Sequence, residues 1–341
     1  LSSAYILSNP ANALATAFQQ KPLIPDLTKK IGHPVIIESV ELLEYKEDFI
    51  TVVTSKDGVK GICTGNGKLN QMLTFFNRNV KPFFLGKDAT QIETLIEELY
   101  TFRRNYKYSG LSLWNNLAQV ELATLDMLGK TAKLPVNQLM GDLVRSEVPI
   151  YMSSTLRSTP AEEEVEWVGK RVSETGAKAV KLKIGGRMSK NRDAYPGRTE
   201  DLIRLSREHW GDDFTIYMDA NGSYDVSKAI EIGKYMEEYN IGFYEEPVPW
   251  EDFAGTKAVK DALNIPVVGG EQDHNMYKWE WMIRNKGFDT VQPDIMYNGG
   301  FIRTMKVAEM ARKAGVNCTL HSPKRNAIAA YMLHFASITP N

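Results

Sequence analysis

Five ionisable residues close successive apolar, β-prone runs of the 341-residue chain: Lys183 in AVKLKIGG, Asp219 in TIYMDANG, Glu245 in GFYEEP, Glu271 in VVGGE and His321 in VNCTLHS. Charged groups are costly to bury singly, so a chain that ends run after run on them gathers them in one polar mouth. Asp219, Glu245 and Glu271 recur at intervals of 26 residues, the length of one strand-plus-helix unit. Three converging carboxylates repel one another, and a hard divalent cation that prefers oxygen ligands, Mg2+ above all, relieves that repulsion. No Cys/His spacing favours zinc. Taken alone, each acid reads more readily as a helix N-cap or a solvated strand end than as a metal ligand; the regular series is what points to a metal site.

Lys181 and Lys183 lie two apart, so both project to one side of a strand. Two neighbouring ammonium groups raise each other's cost of protonation, which would suit Lys183 as a general base with Lys181 as its support. The plain alternative is a solvated edge strand. Asp294 and His321 end adjacent runs, where the carboxylate can fix the tautomer of the imidazole and stabilise its protonated form. Asn221 shares a strand face with Asp219 and reads either as a substrate contact or as a residue that supports the groups around it. Among the other histidines, His33, His209, His274 and His334, only His274 is near enough to Glu271 to reach a substrate. In GFYEEP, strand alternation places Phe243 with Glu245 on one face and Tyr244 with Glu246 on the other.

The elements that must position these groups fall into two patterns. From Val35, the runs VIIESVELLEY, DFITVVTS and GVKGICTG predict three strands, with Asp57-Gly58 in the turn of the second hairpin. DATQIETLIEELYTF and LSLWNNLAQVELATLDMLGKTAKLPVNQLMGD then carry helical periodicity, ending at Gly141. Strands followed by helices form an α+β unit. From position 149, seven strand candidates alternate with helices: PIYMSS, AVKLKIG, TIYMDA, GFYEEP, PVVGGE, TVQPDI and VNCTLHS. This is the alternation of a parallel α/β barrel, whose catalytic groups sit at the C-terminal ends of the strands. The expected architecture is α/β: a (β/α)7β TIM-like barrel over 147–341 lacking its final strand, an α+β capping domain over 35–146, and an unpatterned extension over 1–34.

With 43% hydrophobic residues, the chain can bury cores for both units. Lys plus Arg is 41 and Asp plus Glu is 42, a net charge of −1, so no global field favours nucleic acid or an anionic membrane. Cys63 and Cys318 are far apart and read as small core residues without a disulfide. No run approaches the roughly 20 apolar residues of a membrane span. ANALA, near the start, offers small residues before a possible cleavage point. The expected compartment is therefore the cytoplasm, or the periplasm if the N-terminal segment is the remnant of an export signal.

KLK at 181–183, DAN at 219–221, EEP at 245–247, GGE at 269–271, Asp294 and His321 resemble the enolase superfamily, specifically its mandelate racemase-like branch. LDMLGK and LPVNQLMGD resemble the end of that family's capping domain, and the likeness spans roughly 36–341. The resemblance implies Mg2+ bound by Asp219, Glu245 and Glu271. It also implies that Lys183 and the His321–Asp294 dyad stand on opposite faces of a carboxylate substrate, with Lys181 near that carboxylate. The expected partners are a small sugar acid and further copies of the chain. Family members carry a mobile lid between the first two capping strands, but LLEYKEDFI leaves only a tight turn near Lys46 and Glu47; residues 1–34 or GNGKLNQ are the candidate replacements.

The favoured reaction is dehydration of a sugar acid through an enediolate to a 2-keto-3-deoxy acid. Racemisation, epimerisation or cycloisomerisation of a carboxylate is the alternative, followed by a Schiff-base aldolase using Lys183 or a binding barrel. The polar segment GGRMSKNRDAYPGRTED, with Arg187, Lys190 and Arg192, either reaches substrate hydroxyls or carboxylates or is a solvated loop.

Overall fold

The computed structural model describes residues 23–46, 48–65, 67–321 and 327–341. A short helix, α1 (Leu27–Ile31), opens it, with the Asp26 side chain accepting from the Lys29 amide at 3.1 Å. Ile24 and Leu27 are buried in the core that follows, so this part of the expected extension is built into the fold. Five residues are too few to show a helical period, which is why the sequence reads as unpatterned there.

Alternating apolar residues then form β1 (Ile37–Tyr45), β2 (Asp48–Ser55) and β3 (Lys60–Thr64), an antiparallel sheet in that order. The Asp57-Gly58 hairpin is closed by Gly58 N–H donating to Ser55 O at 2.8 Å. The β1–β2 turn passes through Lys46 at φ 57°, and Glu47 lies outside the described residues. Short helical turns from Gly67 to Phe84 lead to α2 (Ile92–Thr101), α3 (Leu111–Ala132) and α4 (Val136–Met140). The sheet lies directly on α3. A Cβ at Gly61 would stand 1.9 Å from Ala123 O, so only glycine permits that approach.

The second half alternates strand and helix: β4 (Met152–Ser153), α5 (Ala161–Thr175), β5 (Ala179–Lys183), α6 (Arg198–Trp210), β6 (Thr215–Asp219), α7 (Val226–Glu238) and β7 (Phe243–Glu245). It continues with α8 (Phe253–Ala262), β8 (Val267–Gly269), α9 (Met276–Arg284), β9 (Thr290–Val291), α10 (Phe301–Lys313), β10 (Asn317–Cys318) and α11 (Ile328–Ile338). All pairings are parallel, in the order β10-β9-β8-β7-β6-β5-β4. Lys181 of β5 reaches Glu245 of β7 across β6, so the sheet curls as a barrel wall does. Seven strands are present as expected, and among the described residues no eighth joins β4 to β10. Register aligns Lys183, Asp219 and Glu245 in one layer and Lys181, Tyr217 and Phe243 in the layer beneath. Tyr217 stacks on Phe243 with centroids 3.8 Å apart, an apolar floor under the charged layer.

One core runs through both halves, because Phe301, Ile302, Ile328, Tyr331 and Phe335 pack with the capping residues. Tyr331 donates a bifurcated hydrogen bond to Ile62 O at 2.9 Å and Leu122 O at 3.0 Å. A second core fills the space between β5–β7 and their covering helices. Cys63 is buried in the first core and Cys318 is partly buried against it, and the two are not joined in a disulfide. No helix of the described residues is long and apolar enough to cross a membrane.

The junction turns on Glu121. This fully buried carboxylate of α3 accepts from the Phe301 amide at 2.7 Å and the Ile302 amide at 2.9 Å, capping the first turn of α10. Gly300 makes room for it at φ 105°; a Cβ there would overlap Glu121 Oε2. Beside it, the Arg303 guanidinium lies 3.6 Å from the Trp114 ring centroid. Burial pushes the Glu121 carboxyl from 4.5 up to about 8, against the two amide donors. The folded chain thus holds this proton more tightly than the unfolded one. Its contribution is complete below pH 4.5 and lost as pH rises through about 8. Urea unfolding across that window should show wild type losing stability relative to Glu121→Gln; a constant difference would refute the assignment.

Candidate active site

β6, β7 and the turn after β8 deliver Asp219, Glu245 and Glu271 to one place, each offering an oxygen within 4.8 Å of the others. All three are buried. Each carries its own cationic or protonatable partner. Lys181 Nζ lies 2.6 Å from both Glu245 oxygens, Lys183 forms an ion pair with Asp219, and His321 Nε2 stands 3.0 Å from Glu271 Oε2. His321 Nδ1 is 3.0 Å from Asp294 Oδ2, and Asp294 is itself fixed by the Met296 and Tyr297 amides at 2.8 and 3.0 Å. The sequence-derived dyad is therefore formed.

Burial and opposite charge compete at each group. For Lys181, burial favours the neutral amine, but Glu245 and Asp219 overcome it and hold the amine well above its usual range. Burial likewise opposes the His321 cation, and hydrogen bonds to Asp294 and Glu271 carry it to about 10. Burial alone would raise Glu271, yet His321 draws it down to about 2. Glu245 rises to about 7 through burial and the nearby Asp219 charge. The expected mutual repulsion of the two lysines is not what governs Lys181. Reading one strand at a time shows like charges two residues apart; the register sets Lys183 opposite Asp219, and the curl carries Lys181 to Glu245.

Asn221 lies at the centre of the mouth. Its Oδ1 accepts from Lys183 Nζ at 3.1 Å, from Arg187 Nη2 at 3.2 Å and from Arg157; its Nδ2 donates to Glu246 Oε2 at 3.1 Å. A cavity of about 200 Å3 opens above it, lined by Arg187, Met188, Trp250, Glu271 and Gln272 among others. Arg187 is thus placed at the mouth. Arg192 is turned back on its own loop, donating from Nε to Ser189 O at 3.1 Å, and Lys190 is exposed. His274 Nδ1 faces Gln272 O at 3.3 Å, and its ring lies under Gly110 rather than at the cavity. Of the lid candidates, residues 1–22 and Asn66 lie outside the described residues, while Gly67–Met72 is a helical turn with Leu69 and Met72 buried.

Three polar residues escape strand-by-strand reading. Glu246 adopts φ 43°, so alternation ends at Glu245 and both glutamates face the mouth; this corrects the expected opposite facing. Gln292 donates to Glu245 Oε2 at 3.1 Å and shares the side of Asp294 two residues on, a spacing visible in TVQPD. Arg157 donates to Ile184 O at 2.7 Å and Gly185 O at 3.2 Å, tying the loop after β4 to the end of β5. It sits beyond a run that ends on serines, so no charged strand end marked it.

Behind the site, Arg198 of α6 donates to the Lys183 carbonyl at 3.1 Å and pairs with Glu164 of α5; both side chains are fully buried. Ser154 completes the group, donating to Glu164 at 2.6 Å. Arg198→Met would strand the Glu164 charge and should cost about 3–5 kcal/mol in urea unfolding, most of it recovered by adding Glu164→Met. Additive losses in the double variant would exclude the coupling.

The donor set fits a hard divalent cation. It is all oxygen, and Glu246 Oε1 and Gln292 Oε1 are buried beside it without a hydrogen-bond partner. A parallel α/β sheet with three carboxylates at consecutive strand ends, flanked by lysine and a His–Asp pair, defines an enolase-type site. The family description "Enolase C-terminal domain-like" matches residues 163–341, and that of the mandelate racemase/muconate lactonizing enzyme N-terminal domain matches 33–141. The chain belongs to this mandelate racemase/muconate lactonizing enzyme family. A D-galactonate dehydratase family member from Enterococcus gallinarum is 26% identical over 85% of this chain and 76% of its own. Among solved structures, a putative racemase from Roseobacter denitrificans superposes with TM-score 0.84 at 34% identity, covering 90% of this chain and 83% of its own. A mandelate racemase/muconate lactonizing protein from Paracoccus denitrificans, complexed with magnesium, gives 0.82 at 26% identity, covering 89% and 83%.

Proposed function

We propose that this site removes the proton α to the carboxylate of a small sugar acid and expels the β-hydroxyl, giving a 2-keto-3-deoxy acid. The order of the strands carries the reading. Lys183 ends β5 and His321 follows β10, while Asp219 ends β6, Glu245 ends β7 and Glu271 follows β8 between them. Two proton-handling groups therefore flank the carboxylate cluster from opposite sides. Mg2+ held by Asp219, Glu245 and Glu271 would supply the positive charge that makes an α-proton of a carboxylate acidic.

Lys183, in the form of its neutral amine, takes the α-proton on one face and becomes the ammonium, with Lys181 beside it in the layer beneath. His321, kept protonated by Asp294 and Glu271, gives its proton to the departing hydroxyl, which leaves as water. The resulting enol then ketonises. Asn221 orients the substrate next to Lys183 through its amide. The same two faces also suit racemisation or epimerisation, in which His321 returns a proton to the α-carbon, and the likeness to a putative racemase favours keeping that second reading.

Incubation of aldonic and aldaric acids with Mg2+ should yield a 2-keto acid from at least one, with EDTA abolishing the reaction. α-Proton exchange in D2O without a keto product would select the isomerase reading instead. Lys183→Met and His321→Asn should each lower the rate by about 10²–10⁴-fold. Turnover that is indifferent to EDTA or to both substitutions would overturn the proposal.

A further inference from the structure

We propose that Arg303 is a positioning residue through which the capping half sets the place of Glu271, so that a change at Trp114, outside the mouth, weakens divalent-cation binding inside it. This rests on the reading of Asp219, Glu245 and Glu271 as a Mg2+ site. His321 stands between two carboxylates carried by separate turns, Glu271 in the turn after β8 and Asp294 in the turn after β9. The same two turns meet again at Arg303. Its Nη2 donates to the His274 carbonyl at 2.6 Å, three residues beyond Glu271, and its Nε donates to the Asn298 carbonyl at 2.7 Å, four residues beyond Asp294.

One guanidinium therefore fixes the separation of the two turns, because its N–H groups diverge at set angles in a plane. Asn298 closes the frame. Its amide donates to Asp294 O at 2.9 Å, and its side-chain oxygen accepts from the Trp279 indole at 3.1 Å. The Trp279 ring lies against the turn that leads to Glu271: a Cβ on Gly270, at φ 110°, would stand 2.2 Å from it. Arg303, Asn298 and Trp279 are all buried, so each bond in this frame is shielded from competing water.

Ion pairing does not account for the position of Arg303. Glu97 is paired with Lys306 and Glu121 accepts from the Phe301 and Ile302 amides; neither meets Arg303 within ion-pair distance among the described residues, although both act on its charge from further away. Its remaining partner is the face of Trp114. Trp114 is fixed within the capping half, where its indole donates to Ser109 Oγ at 3.2 Å and its ring stacks on Tyr100 with centroids 5.6 Å apart. Neither Trp114 nor Arg303 lines the cavity of the mouth. Mg2+ demands near-octahedral oxygens at about 2.0–2.1 Å, so the displacement of Glu271 that a loosened turn permits lowers affinity.

Titration calorimetry on the full chain should find Mg2+ bound about 10- to 100-fold more weakly by Arg303→Met, the usual effect of removing a group that holds a metal ligand in place. Arg303→Lys, which reaches one carbonyl but not both, should keep part of the affinity. Trp114→Leu should lose at least about threefold, and Arg312→Met, on the exposed side of the same helix, should match wild type. Hydrogen-exchange mass spectrometry of the same variants should show faster exchange confined to 270–275 and 294–300. Should Arg303→Met fail to fold, Arg303→Lys and Trp114→Leu carry the same comparison. Wild-type affinity in Trp114→Leu would overturn the inference, as would faster exchange spread over the whole chain, the mark of a general loss of stability. A wild-type chain that binds no Mg2+ would refute the metal reading instead, and the exchange pattern alone would then decide whether Arg303 holds the two turns.

Discussion

Three carboxylates with oxygens within 4.8 Å of one another, all buried, set the terms for everything around them. Unpaired, such a cluster could not remain ionised inside a fold, because desolvation and mutual repulsion act in the same direction. The chain answers with a distinct cationic or protonatable partner for each: Lys181, Lys183 and His321. Two of those partners, Lys183 and His321, are also the groups proposed to move protons. Compensation of buried charge and acid–base capability are thus one arrangement seen in two ways, and the register of β5, β6 and β7 is what delivers it.

That dependence explains why the site was largely legible in the sequence. A parallel sheet repeats its side-chain phase from strand to strand, so residues ending successive runs must share a layer once the alternation is recognised. Asp219, Glu245, Glu271, Lys183, Asp294 and His321 were all readable in this way, and the mandelate racemase-like resemblance rests on the same positions. The charge balance was less accessible. It depends on which neighbour each group meets, and neighbours are set by register and curl. Lys181 illustrates this: its sequence context displays a like charge, whereas its spatial context supplies two carboxylates.

What escaped has a common cause, a departure from regular backbone. Glu246 turns into the left-handed region immediately after β7, and the alternation that assigned it to the opposite face no longer applies. Arg157 belongs to the loop after β4, where no periodicity constrains direction. The helix α1 is shorter than the period needed to detect it. In each case the information lies in hydrogen bonds to distant segments, such as Arg157 to the end of β5 or Met188 to Asn221, and single-sequence pattern reading does not reach these.

The Glu121 contact bears on how members of this family could exchange parts. A capping half transplanted onto a foreign barrel would present its carboxylate to whatever backbone begins the tenth helix. Only a glycine at the position of Gly300 leaves room for it, and only free amides at 301 and 302 satisfy it. Trp114 and Arg303 form a second cross-half pair a few residues away. Residues 114 and 121 on one side and 300–303 on the other therefore form one packed unit that straddles the two halves. Chimaeras cut between them would be expected to fail at the seam even when each half folds, unless these positions travel together.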